Sequence, residues 1–499
     1  MSPLASSERL ALAALVVAWG VPAWWLGAST VYGQVFAVVA GAVAVALAAL
    51  ARSSVRLAKA EGRVRNAEPQ PPRGLQPSAF PLLPSAFIAA FIALLLCQAL
   101  NPDCILIPGR PVGLLRPLYH LAWMPTGIAI PFDRIPNDNL YFANAWRHLL
   151  IAGAVVLPLT ALSILPRRPA VVRALLGLLF IHAVLFSTFA FVHNLSGSKA
   201  VLWLVTDANF HLGAPQFPFK NQQAAYQILL LATALASWLA PTAVRPWPEL
   251  SHRDRWLAAG TALVFLGTVT TRSRAGLIAT VVVVLTALVL CLWPARHRWR
   301  LHRRALVGTA VAGFLALAAL SCLPPVRATI GRVAEQVREP GDLLVGGSFR
   351  RILHTIAWEM AVDSPWFGHG AGCYLPLFTT YQARVPAYMA ALRRDHPDTN
   401  RPAHTHADGD WMEFAAEYGF VGTALLALPW LAWLLALWRA RPLGPGIALL
   451  ALGPILILAH GWIDFVLRNP AILGLAAGLA ALALTLTRLK TPPLALSPT

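Results

Sequence analysis

The sequence predicts an all-α, polytopic membrane protein: about twelve transmembrane helices with one long, partly helical external loop at 324–411. Three observations carry this: the composition, the spacing of apolar runs, and the one-sided distribution of Lys and Arg. The 499 residues are 57% hydrophobic and 12% charged, with 18 Trp and a mean hydropathy of +0.61. That leaves too little polar surface to enclose a single soluble core.

Apolar runs long enough to cross about 30 Å of hydrocarbon as helices lie at 9–29, 31–51, 80–100, 146–165, 172–192, 223–241, 256–271, 275–293, 305–323, 412–437, 446–467 and 470–487. The first follows a single Arg, and a second run comes directly after it, so it reads as an anchor and not a cleaved leader. Pro and Gly inside 412–437 and 446–467 predict kinks or breaks there. Three organisational units follow: spans one to nine in 1–323, the loop 324–411, and spans ten to twelve with a cytoplasmic tail in 412–499.

Cationic connections resist translocation. Alternate connections hold Arg9, the Arg52 to Arg73 group, Arg167/Arg168/Arg173, Arg245/Arg253/Arg255, the Arg296 to Arg304 cluster, Arg439/Arg441 and Arg488/Lys490: 22 basic residues against five acids, or +17 of the formal +19. Both termini are therefore expected in the cytoplasm. The isoelectric point near 10.9 is accounted for by topology, without nucleic acid as a partner. Five cysteines (97, 104, 291, 322, 373) show neither metal spacing nor a disulfide framework. Cys104, Cys322 and Cys373 fall outside, which leaves one unassigned disulfide open.

The segments 101–145, 193–222 and 324–411 exceed what connectors need, and loops of that length are usually functional or disordered. The last has nine basic and nine acidic residues and regular patterning, which argues against disorder. In it, "SFRRILHTIAWEMAVD" (348–363) spaces Ile352, Ile356 and Met360 as one helix face, with Ser348 as N-cap. "SPWFGHGAGCY" then stops the helix and supplies Gly368, Gly370 and Gly372 for tight turns.

Several ionisable groups stand where membrane insertion is unfavourable. Arg272 and Arg274 sit between spans seven and eight among Ser, Thr and Gly, a neighbourhood suited to a phosphate, although snorkelling to headgroups is the plainer reading. Arg350 and Arg351 begin the loop helix, where cations oppose the macrodipole, and a guanidinium pair can grip phosphate oxygens; a solvated basic face is the alternative. His404, His406, Asp408 and Asp410 precede span ten, with Glu413 and Glu417 one and two turns in. The pattern H-x-H-x-D-x-D invites a metal but fits no zinc signature, and a general base is chemically simpler. His460 and Asp464, four apart, read as one face of span eleven, either binding substrate or satisfying each other.

Four stretches in this order resemble the bacterial O-antigen ligase/polymerase family. "FKNQQAAY" (219–226) is similar to N-R-N-H-F-A-A-Y, and "TRSRAG" (271–276) to S-R-S-R-G-G. "RRILHTIAWEMAVDSPWFGHGAG" (350–372) resembles R-x-x-x-W-x-x-A-x-x-M-x-x-D-x-P-x-x-G-x-G, and "HADGDWMEFAAEYGFVG" (406–422) resembles H-A-H-N-D-Y-L-Q-L-L-A-E-x-G-x-x-G. The resemblance implies a metal-independent, inverting glycosyltransferase of a bacterial inner membrane, without cofactors. It would move a glycan from an undecaprenyl-pyrophosphate donor to lipid A core or another glycan on the periplasmic face. Arg272, Arg274, Arg350 and Arg351, with Lys220, Asn221 and His404, would bind substrate, and His406 or Asp408 would be catalytic. The sequence departs from the family at the base. Aligned on "EYGFVG", His406 takes the first His position and Asp408 the second, so either the loop shifts by two residues and His406 takes the catalytic place, or Asp408 serves as a carboxylate base, or the activity of this member has drifted. His354 replaces the family Trp, Gly409 replaces Asn, and Gln222-Gln223 replace His-Phe. A lipid-linked glycan flippase or transporter is the competing class; the absence of an inverted repeat and the exterior placement of the ionisable residues favour the enzyme.

Overall fold

The computed structural model describes residues 4–24, 31–60, 82–100, 104–105, 120–121, 145–166, 168–196, 215–242, 252–271, 273–295, 347–382 and 406–489, with isolated residues between them. Helices α1 (Ser6–Trp24), α2 (Val31–Ala60), α3 (Leu82–Leu100), α4 (Ala145–Ile164), α5 (Pro169–Leu195), α6 (Lys220–Thr242), α7 (His252–Val269) and α8 (Arg274–Ala295) come first. They are followed by α9 (Gly347–Asp363), α10 (Tyr374–Gln382), α11 (Asp410–Arg439), α12 (Pro445–His460) and α13 (Pro470–Arg488). One two-residue antiparallel pairing, Cys104–Ile105 with His120–Leu121, is an exception the all-helical reading did not foresee. The chain is a multi-pass membrane protein. Five described helices are long and apolar enough to cross a bilayer (within α2, α4, α5, α11 and α13), and α3, α8 and α12 contain shorter apolar stretches. The predicted run 305–323 and most of the loop before Gly347 lie outside the described residues.

Helix starts follow local chemistry. Pro169, Pro445 and Pro470 open their helices, where a missing N–H leaves no hydrogen bond unmade. The Asn469 side chain caps α13 by accepting from Ala471 N and Ile472 N at 3.0 and 3.3 Å. Ser348, expected as the N-cap of the loop helix, lies inside it, because α9 begins at Gly347.

Two apolar cores form. The larger runs through the bundle, with Leu15, Leu179, Phe186, Tyr226, Ile457 and Leu479 fully enclosed. The smaller sits under the loop: the predicted face Ile352, Ile356 and Met360 of α9 packs with Tyr374 and Phe378 of α10, and with Ala407 and Ala416. Ala416 belongs to α11, so this helix joins the two cores.

Candidate active site

The loop is fastened to α11 by a break in the helix. Gly419 has φ +66 inside α11, so the bonds from Phe420 N to Ala416 O and from Val421 N to Glu417 O are not made there. The loop replaces all four partners. His369 N and Gly370 N donate to the carbonyls of Ala416 and Glu417 at 3.0 and 2.9 Å, while Phe420 N and Val421 N donate to those of Pro365 and Trp366 at 2.7 and 3.1 Å. Gly368 (φ +69) and Gly419 stand where these backbones cross, and a Cβ on either would fall 2.3 or 2.4 Å from a backbone carbon of the other segment. Satisfying backbone groups at a break is a requirement of membrane helices, and the glycine spacing in "GHGAG" serves it.

Below the break, Asp410, Glu413 and Glu417 project from one face of α11 toward Arg468, in the turn between α12 and α13. The Arg468 Nη2 contacts Glu417 Oε2 at 2.7 Å and Glu413 Oε1 at 3.2 Å, and Nε lies 3.8 Å from Asp410 Oδ1. The three carboxylate side chains are at most 1% exposed. Backbone hydrogen bonds add to these pairs: Asp410 Oδ2 accepts from Leu467 N at 2.6 Å and Glu417 Oε1 from Tyr374 N at 3.2 Å, while Asp410 Oδ1 and Arg468 Nε meet only as an ion contact. Sequence reasoning did not single out Arg468. The signal was available: three acids at helical spacing with no local cation require a buried one from elsewhere.

Glu413 also faces outward. Its Oε1 accepts from His406 Nδ1 at 3.1 Å and its Oε2 from Ala407 N at 2.9 Å. The His406 ring lies flat on Phe465, centroids 4.4 Å apart and 18° from parallel. Two contacts thus fix the imidazole, and its Nε2 makes no hydrogen bond among the described residues.

Next to His406, Asp408 adopts a left-handed backbone (φ +53), and its carbonyl accepts from His354 Nε2 at 3.2 Å. A Cβ on Gly409 would fall 2.5 Å from that same nitrogen. The two departures from the family pattern, His354 and Gly409, are therefore in contact and accommodate each other. Arg350 Nε stands 4.0 Å from Asp408 Oδ2. Burial pushes the Asp408 carboxyl up to about 6, helped by the negative charge of Asp464 and opposed by Arg350. Burial likewise holds the His354 imidazole below its ordinary range.

Asp464 accepts from Phe465 N at 2.9 Å and from Asn221 Nδ2 at the start of α6. The Asn221 Oδ1 accepts from Ser273 Oγ at 2.9 Å, and Ser273 Oγ accepts from Gly276 N at 3.2 Å, capping α8. Close approach makes this link possible, since a Cβ on Gly276 would lie 2.5 Å from the Ala224 Cβ. Hydrogen bonds thus lead from the first turn of α8, through Asn221, to Asp464, which lies within electrostatic reach of Asp408 and Arg350.

Among the predicted site residues, His406, Asp408, Arg350 and Asn221 share this network, and Arg274 follows Ser273 on an exposed turn. Arg351 is exposed, Lys220 is half-buried at the start of α6, and Arg272 and His404 lie outside the described residues. Gln222 donates to the Phe465 carbonyl at 3.1 Å and Gln223 to Gln216 Oε1 at 2.8 Å, so both tie segments together. His460 and Asp464 do not share a helix face as expected: α12 ends at His460, and Asp464 belongs to the following turn. Among the described residues, no three or more His, Cys, Asp or Glu are grouped to hold a metal ion. An apolar cavity of about 400 Å³ opens from Arg468 and Trp411 along α11, lined by Phe91, Phe414, Trp430 and Leu484 among others.

No curated protein matches the chain. The family model described as O-Antigen ligase matches residues 259–427. This segment, about a third of the chain, holds Ser273, Arg350, His406, Asp408, Glu413 and Gly419, and its similarity to the O-antigen ligase domain supports an O-antigen ligase/polymerase family of membrane glycan-transfer enzymes.

Proposed function

We propose that the protein is an inverting glycosyltransferase that moves an undecaprenyl-pyrophosphate-linked glycan onto a saccharide acceptor, on lipid A core or on another glycan, at the periplasmic face of the inner membrane. The observation that carries the reading is the His406–Glu413 pair at 3.1 Å, its histidine two residues before Asp408, which Arg350 meets at 4.0 Å. A carboxylate on Nδ1 fixes the tautomer that leaves Nε2 as the proton acceptor, the arrangement a general base requires. His406 Nε2 takes the proton of the acceptor hydroxyl as its oxygen attacks the anomeric carbon. The bond from that carbon to the pyrophosphate oxygen breaks on the opposite face, which inverts the configuration. Charge then grows on the leaving pyrophosphate, where Arg350, with Arg274 from the start of α8 and Arg272 two residues before it in sequence, stabilises it. Arg351, Lys220, Asn221 and His404 would shape the same rim. Asp408, paired with Arg350, orients that guanidinium and is not the base. The apolar cavity below Arg468 suits the polyprenyl chain, and the arginines supply the positive charge that a metal ion would otherwise bring.

A transporter reading draws support from the broken helix α11 with its buried carboxylates. Those carboxylates are matched by Arg468, however, and the break is filled by the loop, which leaves no unoccupied ion pathway at that point. The test is transfer by the purified protein in nanodiscs, from a polyprenyl-pyrophosphate glycan to core lipid or oligosaccharide. Transfer is expected to persist in chelator and to fall about 10²–10⁴-fold in His406→Ala. Glycan movement across the bilayer without any new glycosidic bond would overturn the reading.

A further inference from the structure

His460 closes α12 with only 5% of its surface exposed, yet neither Nδ1 nor Nε2 has a hydrogen-bond partner among the described residues. It is the histidine among the described residues with both ring nitrogens buried and unmatched. Asp464, the partner its spacing suggested, is turned to Asn221 and to Phe465 N. The turn that follows His460 is laced to the rim: Trp411 N donates to Gly461 O at 3.4 Å and Asp410 N to Asp464 O at 3.3 Å. The ring lies within electrostatic reach of Arg350. Each buried polar group left unmatched is unfavourable by about 1–3 kcal/mol, and no packing role accounts for an imidazole here in place of a leucine.

We propose that His460 belongs to a saccharide subsite and hydrogen-bonds sugar hydroxyls of the glycan being transferred or of its acceptor. A neutral imidazole offers one donor and one acceptor, and sugar hydroxyls offer both in return. Phosphate oxygens only accept, so pyrophosphate would leave one nitrogen unmatched, and Arg350 already stands ready for it. The inference rests on the transferase reading and sharpens it.

The experiment compares wild type, His460→Phe and His460→Gln in nanodiscs. It measures KM for donor and for acceptor, binding of undecaprenyl pyrophosphate without sugar and with its glycan, and the thermal midpoint. In His460→Phe, KM for one glycan substrate should rise roughly tenfold or more, the equivalent of one lost hydrogen bond of about 1.4 kcal/mol. His460→Gln, which also donates and accepts, should recover part of this. Binding of the bare carrier and the midpoint should not move. Which KM rises tells donor from acceptor. Weakened binding of the bare carrier would overturn the proposal in favour of a phosphate contact, and unchanged KM values would overturn it in favour of packing. If the wild type forms no glycosidic bond, the transferase reading fails alone, provided the glycan-linked carrier still binds more tightly than the bare one in a His460-dependent way.

Discussion

Two charged clusters meet at the first turns of α11, and they differ in how fully they are satisfied. Around Arg468, three carboxylates and one guanidinium are buried against one another, with backbone N–H groups of Leu467, Tyr374 and Ala407 supplying further hydrogen bonds. Around Arg350, the only ion pair among the described residues is at 4.0 Å with side chains 20% and 35% exposed, and among the same residues Arg350 Nε, His406 Nε2 and both buried nitrogens of His460 have no hydrogen bond. Burial with dense ion pairing, in which only Arg468 Nε and Asp410 Oδ1, 3.8 Å apart, lack a hydrogen bond among the described residues, suits a structural joint, because breaking it leaves uncompensated charge. Sparse pairing at a partly exposed rim suits a surface that binds a charged or hydroxylated ligand. Glu413 touches both clusters, which makes the joint the foundation on which His406 is oriented.

The sharpest way to break this distinction is to remove each arginine. Arg468→Ala should destabilise the fold by about 3–5 kcal/mol, as expected when one partner of a buried pair is deleted. Low yield of monodisperse protein and a large fall in thermal midpoint would register it. Arg350→Ala should lower stability by about 1 kcal/mol or less, as for a partly exposed ion pair held at 4.0 Å, while transfer falls about 10²–10³-fold, as when one charge-stabilising group is lost. A stable, active Arg468→Ala would mean that the inner cluster is not a joint. A destabilised Arg350→Ala would remove the contrast.

Much of this contrast was legible in the sequence, though not all of it. The apolar face of the loop helix, the glycine turn and the ionisable run before α11 were each readable, because periodicity, φ > 0 demands and insertion energetics act locally. Asn221 and the Arg274 turn were reached through their motifs. Arg468 and the Phe465 stack on His406 were not, since both depend on a turn about fifty to sixty residues later, between α12 and α13, folding back onto α11. Where α12 ends was equally hidden: apolarity runs past His460 without a break, and only the turn at 461–464 separates His460 from Asp464. The paired departures His354 and Gly409 look like two losses in one dimension and like one exchange of volume in three.

That exchange gives a smaller effect. Gly409 has φ −171, extended backbone open to any residue, so its only demand is space. Gly409→Ala should destabilise by about 1–3 kcal/mol through overpacking against His354. His354→Ala in the same chain should relieve it, with a coupling of about 0.5–3 kcal/mol in a double-mutant cycle of thermal or denaturant midpoints. Simple additivity would mean that the two departures are independent.

The smallest effect separates the two possible bases. The Asp408 carboxyl is raised from its ordinary value of 3.8 to about 6 in the folded protein. Its contribution to stability is therefore fully present below about pH 4 and is lost as pH rises through about 6. A shift of this size has a ceiling of about 3 kcal/mol, but the side chain is 35% exposed, so screening by water should reduce the effect to about 1 kcal/mol or less. Asp408→Asn should flatten that part of the stability profile between pH 4 and 6. The same variant keeps the Asp408 carbonyl that holds His354 and leaves the His406–Glu413 pair intact, so transfer should fall by less than about tenfold, against the 10²–10⁴-fold expected of a lost general base. If Asp408→Asn were as inactive as His406→Ala, the proton would go to the carboxylate and His406 would be a positioning residue. In that case Arg350 would act on the base before it acts on the leaving group.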